Sequence, residues 1–359
     1  MTKDNQRRIV FLDYMRIFAF ASVLIGHKFY PAMERFVADQ NNSEIARRAL
    51  DLAMPLFYGG VVGVIVFFLV SGYIITHVLQ HERPLEFLIK RAFRIYPLYA
   101  VAVITQTVMD YKLHNVAVPE IETLIPRLLL LGDFFSTPYS LSGVEWTLRV
   151  EVLFYAYMAV LRKLRAFENP KILPWIYAAS VAAIYFLPAF PAGKFLAYGY
   201  TSIYFGILLV GSCIYLVQFR KATTVFAIAT SIMIIASSLS MIDAYQPRWS
   251  NMYFIYSGLS MFIGAIYIGK YLPDGRPIKL LSSLTFSIYL FHNWLTEYIA
   301  ALISYINPGL PANALTALPI LMFACYIASR VIENPSIRIG RSATDRISGA
   351  IQTPGGREN

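Results

Sequence analysis

Apolar residues run along this chain in long blocks, not in the three-to-four-residue rhythm of a half-exposed helix or the alternation of a strand. A helix needs roughly 17–25 such residues to cross a bilayer. Blocks of that order predict spans at 9–30, 55–79, 95–110, 146–163, 172–190, 200–217, 222–242, 252–269, 281–304 and 314–333, the third being short. The expected fold class is an all-α polytopic membrane protein of about ten transmembrane helices, a form in which the backbone satisfies its own hydrogen bonds away from water.

Composition removes the alternatives. The 359 residues are 57% hydrophobic and 14% charged, whereas soluble domains run about 45–50% apolar and about 25% charged, which excludes a soluble globular protein. Cys213 and Cys325 lie inside apolar blocks, where a free thiol behaves as a small hydrophobe. Lys3, Arg7 and Arg8, followed by Ala19-Phe20-Ala21, have the look of a signal peptide, but Asp13 and Arg16 break the apolar stretch that one requires. Residues 1–335 read as one integral membrane domain and 336–359 as a short basic cytoplasmic tail. The longest stretches off the membrane, 31–54 and 111–145, leave no room for a soluble catalytic domain. Chemistry therefore falls to polar residues in or against the bilayer.

The net charge of +10 does not point to nucleic acid, because the basic residues sit between the apolar blocks. One set of alternate connections runs from the N-terminus through Arg83–Arg94, Arg162–Lys171, Arg220, Lys221 and Lys270–Lys279 to the tail, and holds 21 Lys and Arg. The other set, which includes Arg35, Arg47, Lys112, Lys194 and Arg248, holds 7. By the positive-inside rule both termini are expected in the cytoplasm and the protein in the cytoplasmic (inner) membrane, multi-pass.

Four clusters break the apolar pattern. Arg16 and His27 lie eleven residues apart in the first span, which puts them on one helix face separated by about 16 Å. Arg16 can pair with Asp13, lowering the roughly 2.5–3.5 kcal/mol that a charge costs within a span. The structural alternative has Arg16 snorkelling to one surface and His27 resting in the other. In the functional one, the His27 imidazole is a general base. Ser71-Gly72-Tyr73 interrupts the second span, and the Arg91/Arg94 pair follows it one helical turn apart beside Lys90. The glycine serves close packing by default; the arginines mark the cytoplasmic side or grip phosphate oxygens bidentately. Glu145 and Arg149 form an i, i+4 pair near Trp146, while Glu151 falls within an apolar run where a carboxylate has to be paired or protonated. Ser287, Tyr289, His292 and Asn293 share the ninth span, where a structural hydrogen bond is the commoner role for His292. His77 and His81 have no glutamate between them in a metalloprotease arrangement, so no metal is expected.

In order along the chain, these residues resemble the acyltransferase-3 family of integral membrane acyltransferases. The resemblance rests on Arg16 with His27 after Leu12-Asp13, Phe67-Phe68 with Ser71-Gly72-Tyr73, Arg91 with Arg94, Trp146 with Glu151, Tyr289-Leu290 with His292, and Glu333-Asn334-Pro335. The family usually shows a small residue between the tryptophan and the glutamate; Arg149 stands in that stretch here. No appended esterase-like domain is expected, which argues against the fused subclass that needs one. The resemblance implies O-acyl transfer, most simply O-acetyl transfer, from acetyl-CoA or another acyl-CoA to a saccharide hydroxyl. It implies His27 as catalytic base with Arg16 in support, and Glu151 orienting the imidazole or binding the sugar. Arg91, Arg94 and Lys90 would hold CoA phosphates, Ser71, Gly72 and Tyr73 would line the donor tunnel, and Glu145, Trp146, Arg149 and His292 would lie on the acceptor side. The expected partners are a saccharide or lipid-linked saccharide acceptor and membrane lipid, with nucleic acid excluded and a homo-oligomer left open. Direct transfer is favoured over an acyl-enzyme, because the sequence places no serine against His27. The alternative is a transporter or flippase for a lipid-linked saccharide, which internal inverted repeats would favour; none is found.

Overall fold

The structure is a computed structural model that describes residues 9–192, 198–250, 253–311 and 313–351. Lys3, Arg7, Arg8, Lys194, Arg357 and the last part of the basic tail lie outside the described residues. Among the described residues there is no strand. The helices are α1 (Val10–Lys28), α2 (Tyr30–Ala38), α3 (Glu44–Ala53), α4 (Val61–Leu79), α5 (Pro84–His114), α6 (Ile121–Leu128), α7 (Trp146–Lys163) and α8 (Leu173–Phe186). They continue with α9 (Tyr200–Gln218), α10 (Thr224–Tyr245), α11 (Tyr253–Ile268), α12 (Arg276–Phe291), α13 (Trp294–Ile306), α14 (Ala314–Ala328) and α15 (Asn334–Ile351).

Five helical stretches of the described residues are long and apolar enough to cross a membrane: α1, Glu44–Leu79 through α4, α9, α10, and Ala314–Ile347 from α14 onward. Integral membrane character thus rests on the helices themselves. α4 and α9 form the centre, and glycine is what lets them meet. A Cβ on Gly72 would come within 1.8 Å of the Leu208 carbonyl oxygen, and one on Gly211 within 2.3 Å of the Leu69 carbonyl oxygen. Such small-residue contacts are how helices associate where no hydrophobic drive separates protein from lipid. α1, α7 and α11 pack against α4 around this pair.

Three segments depart from the span pattern. The short third block belongs to α5, 31 residues long, which starts at Pro84 and runs through the basic stretch. Proline suits the first turn of a helix, and the i, i+4 pair of Glu86 with Lys90 supports it. The single block 281–304 is two helices, α12 and α13, broken at His292–Asn293. Side chains take up carbonyls at the break: Trp294 Nε1 donates to Leu290 O at 3.0 Å and Thr296 Oγ1 to His292 O at 2.5 Å, as an interruption within an apolar segment demands. The last block, 314–333, ends in a π-helical turn, Ser329–Glu333, that leads into α15 packed on α5.

Candidate active site

The Arg16/His27 face of α1 lines a passage made of three adjoining cavities. A basal cavity is bordered by Asp13, Arg16, Arg94, Lys279, Ser282 and Glu333. A central cavity shares Arg16, Arg94 and Thr285 with it and adds Ser71, Arg91, Glu151 and Tyr155. A distal cavity contains His27, and meets the central one at Val23, Val64 and Tyr289. Arg16 and His27 therefore do not touch; they stand toward opposite ends of one route.

The basal and central cavities carry positive charge at depth. Arg16, Arg91 and Arg94 face Glu151, the sole carboxylate among the described residues that border the central cavity. Arg16 lies 4.0 Å from Asp13, which accepts a 2.5 Å hydrogen bond from Ser282. Glu333, presented by the π turn, accepts from Ser287 at 2.9 Å and sits near Arg94. The guanidinium of Arg91 lies over the Phe87 ring, and its Nε has no hydrogen-bond partner. Leaving a buried cationic donor unpaired costs on the order of 1–3 kcal/mol or more, so an anion in this cavity recovers what folding leaves unmet. Ser71 Oγ donates to Glu151 Oε1 at 2.7 Å, and Tyr155 lies against the same carboxylate.

The distal cavity is of different character. Its walls include Tyr139, Trp146, Tyr200, Tyr204 and Trp249, flat amphipathic rings of the kind that stack on apolar faces and keep polar tips for hydrogen bonds. His27 is exposed into this space. Gly26 brings it there: a Cβ at that position would come within 2.3 Å of Phe57 O, so only glycine lets α1 lie this close to the 3-10 turns Met54–Leu56 and Tyr58–Gly60. His27 Nδ1 is 3.0 Å from His292 Nε2, and the two rings meet edge to edge, with planes 24° apart and centroids 5.2 Å apart. His292 Nδ1 is 2.8 Å from Tyr289 O.

Other predicted residues have other surroundings. Gly72 packs α4 on α9, and Tyr73, fully buried, donates to Gln218 Oε1 at 2.9 Å among Phe11, Tyr215 and Phe262; of the triplet only Ser71 borders the passage. Lys90 does not line it and is held by Glu82 at 2.8 Å and Glu86 at 2.6 Å. Glu151 partners Ser71, so the group beside the His27 ring is His292. Glu145 and Arg149 are buried away from the passage. Arg149 pairs with Asp133 at 2.5 Å and with Glu145, over the Tyr139 ring, while Tyr99 and Ser140 also bond Glu145. This network fastens the 129–145 segment onto α7 and so seats Tyr139 and Trp146 in the distal wall. Sequence reasoning placed Trp146 on the acceptor side but left out the rest of that wall, because Tyr139, Tyr200, Tyr204 and Trp249 come from three further segments and none is unusual in its own.

The residues, in sequence order, match a known family. The acyltransferase domain model of the acyltransferase-3 family matches residues 9–332. The chain is also similar to the peptidoglycan O-acetyltransferase OatA of Listeria monocytogenes, 23% identical over 77% of this chain and 51% of that protein. It thus spans about half the length of the curated relative it matches. No solved structure matches the chain. With nearly all of its length matched by the family model, the chain belongs to the acyltransferase-3 family of membrane acyltransferases.

Proposed function

We propose that the protein transfers an acyl group, most simply acetyl, from acyl-CoA to a hydroxyl of a saccharide or lipid-linked saccharide, with His27 as general base. O-acetyl transfer agrees with the family and with the peptidoglycan O-acetyltransferase to which the chain is similar. The observation that carries the finer reading is the polarity of the passage: arginines toward one end, an exposed imidazole among aromatic rings at the other.

The excess of basic residues on the Arg16 side supports a cytoplasmic location for that end. CoA phosphates bind there against Arg91, Arg94 and Arg16, and the neutral pantetheine arm extends past Val23, Val64 and Tyr289 toward His27. The acceptor enters the distal cavity and stacks on its aromatic wall. His27 Nε2 takes the hydroxyl proton as the oxygen attacks the thioester carbonyl. The carbon–sulfur bond breaks, the thiolate leaves, and the proton held by His27 passes to it, giving the ester and free CoA. Holding donor and acceptor from opposite sides makes the encounter effectively intramolecular.

The test is transfer of label from [acetyl-14C]acetyl-CoA by purified protein in nanodiscs supplied with cell-envelope saccharides. Labelled ester on a saccharide, removed by mild base, supports the reading. Absence of acetyl-CoA binding and turnover would refute the donor assignment.

A further inference from the structure

We propose that His292 is a positioning residue that fixes His27 in the one tautomer able to act as a base, an inference that rests on the acyl transfer proposed above. The reasoning is a proton count along three atoms. A carbonyl oxygen only accepts, so the 2.8 Å contact to Tyr289 O requires a proton on His292 Nδ1. His292 is 1% exposed, and among the described residues no carboxylate contacts it. A buried imidazole without an anion stays neutral, with a single ring proton. Its Nε2 is then an acceptor, so the 3.0 Å contact requires His27 Nδ1 to carry the proton. His27 Nε2 is left with a bare lone pair, the form a general base needs.

The surroundings reinforce this direction. Lys28 on α1 is the neighbouring cation and is held by Glu297 of α13 at 2.8 Å, so its charge is already matched. Tyr289 on α12 is also near His292, but its hydroxyl is committed to Val144 O and Thr147. During transfer His27 Nε2 gains the acceptor's proton. In the imidazolium that results, Nδ1–H still donates to His292 Nε2, now as a charge-assisted bond. His292 itself does not border the distal cavity, so it acts on the reaction through His27 and not by touching the acceptor.

Two variants of the full chain in nanodiscs separate positioning from packing. His292→Phe keeps a ring in this place but removes the acceptor. His292→Gln presents an amide oxygen near the place of Nε2. Expected for His292→Phe is a fall in kcat of at least about tenfold with the KM for acetyl-CoA unchanged, and for His292→Gln recovery of most of that loss. The second readout is 15N NMR of histidine-labelled protein, with His27 assigned by its loss in His27→Asn. His27 protonated on Nδ1 in the wild type and in His292→Gln, and on Nε2 in His292→Phe, supports the inference. Wild-type kcat in His292→Phe, or a wild-type His27 protonated on Nε2, overturns it. A wild-type protein with the Nδ1–H signature but no turnover of acetyl-CoA upholds the tautomer assignment and overturns the proposed function instead. If His292→Phe does not fold, the wild-type and His292→Gln spectra alone decide.

Discussion

Thr147 on α7 donates a 2.5 Å hydrogen bond to the Tyr289 hydroxyl of α12, which hands its own proton to Val144 O. This clasp holds the Tyr289 ring at the boundary where the arginine-lined and aromatic cavities meet. A thioester drawn up to His27 has to pass that ring, and water has to be kept from following it.

Tyr289→Ala is therefore expected to uncouple the reaction. Hydrolysis of acetyl-CoA without acceptor should rise on the order of tenfold while ester formation falls, whereas Tyr289→Phe, which keeps the ring, should show a smaller change. Measuring free CoA against labelled ester gives the ratio directly. An unchanged ratio in Tyr289→Ala would mean that the two cavities do not communicate there.

The donor grip is tested by preserving charge and removing shape. Arg91 Nε has no partner, and both Arg91 and Arg94 line the central cavity. Lysine keeps the positive charge but not the planar fork. Arg91→Lys with Arg94→Lys should raise the Kd for acetyl-CoA by about tenfold or more, the equivalent of one lost charge-assisted hydrogen bond, with insertion into the membrane unaffected. Equal affinity for both proteins would leave these arginines as topology marks only.

Arg149 is expected to govern stability. It is 1% exposed and balances the carboxylates of Asp133 and Glu145. Arg149→Ala leaves buried carboxylates uncompensated, a loss of roughly 3–5 kcal/mol. A large drop in detergent-extracted, monodisperse protein and in its melting temperature should follow. A well-folded Arg149→Ala protein whose only defect is a raised KM for acceptor would instead make it a substrate contact.

Gly26→Ala probes the seat of His27. The added methyl would meet Phe57 O and Gly60 N at 2.3 and 2.4 Å, both backbone atoms. α1 has to move off the turn at Tyr58–Gly60, taking the next residue with it. Expected is a fall in kcat of about tenfold or more from a shift of under an ångström or two, with acetyl-CoA affinity retained because Arg16 and Arg94 lie toward the other end. Retained kcat would show that the turn does not set the imidazole's position.

Sequence patterning made the helical, membrane-embedded class legible because long apolar blocks admit few other forms. The shared face of Arg16 and His27 was legible for the same reason: it depends only on helical periodicity, and both residues do line the passage. The break at His292–Asn293 was not. His292-Asn293 interrupts the hydropathy of Ser287–Glu297, but two polar residues do not by themselves end a helix, and the side chains of Trp294 and Thr296 that take up carbonyls at the break serve helices equally well elsewhere. For the same reason the His27–His292 contact, which spans 265 positions of sequence, was invisible. Gly72 and Tyr73 entered as tunnel residues because adjacent positions share a motif, yet neighbours on a helix point about 100° apart; only Ser71 faces the cavity. Glu145 with Arg149 read as an ordinary helix pair, since the third member, Asp133, comes from a loop with no periodic signal.

The most direct measurement compares wild type with His27→Ala in two assays on the same nanodisc preparation: equilibrium binding of acetyl-CoA, and single-turnover transfer of its labelled acetyl group to saccharide acceptor. The expected result is equal binding, because the arginines of the central cavity are untouched, together with loss of transfer by about a hundredfold or more, the size of contribution a general base makes. Transfer by His27→Ala at the wild-type rate would contradict the role of His27 and with it the reading of the passage as a route that ends at a base.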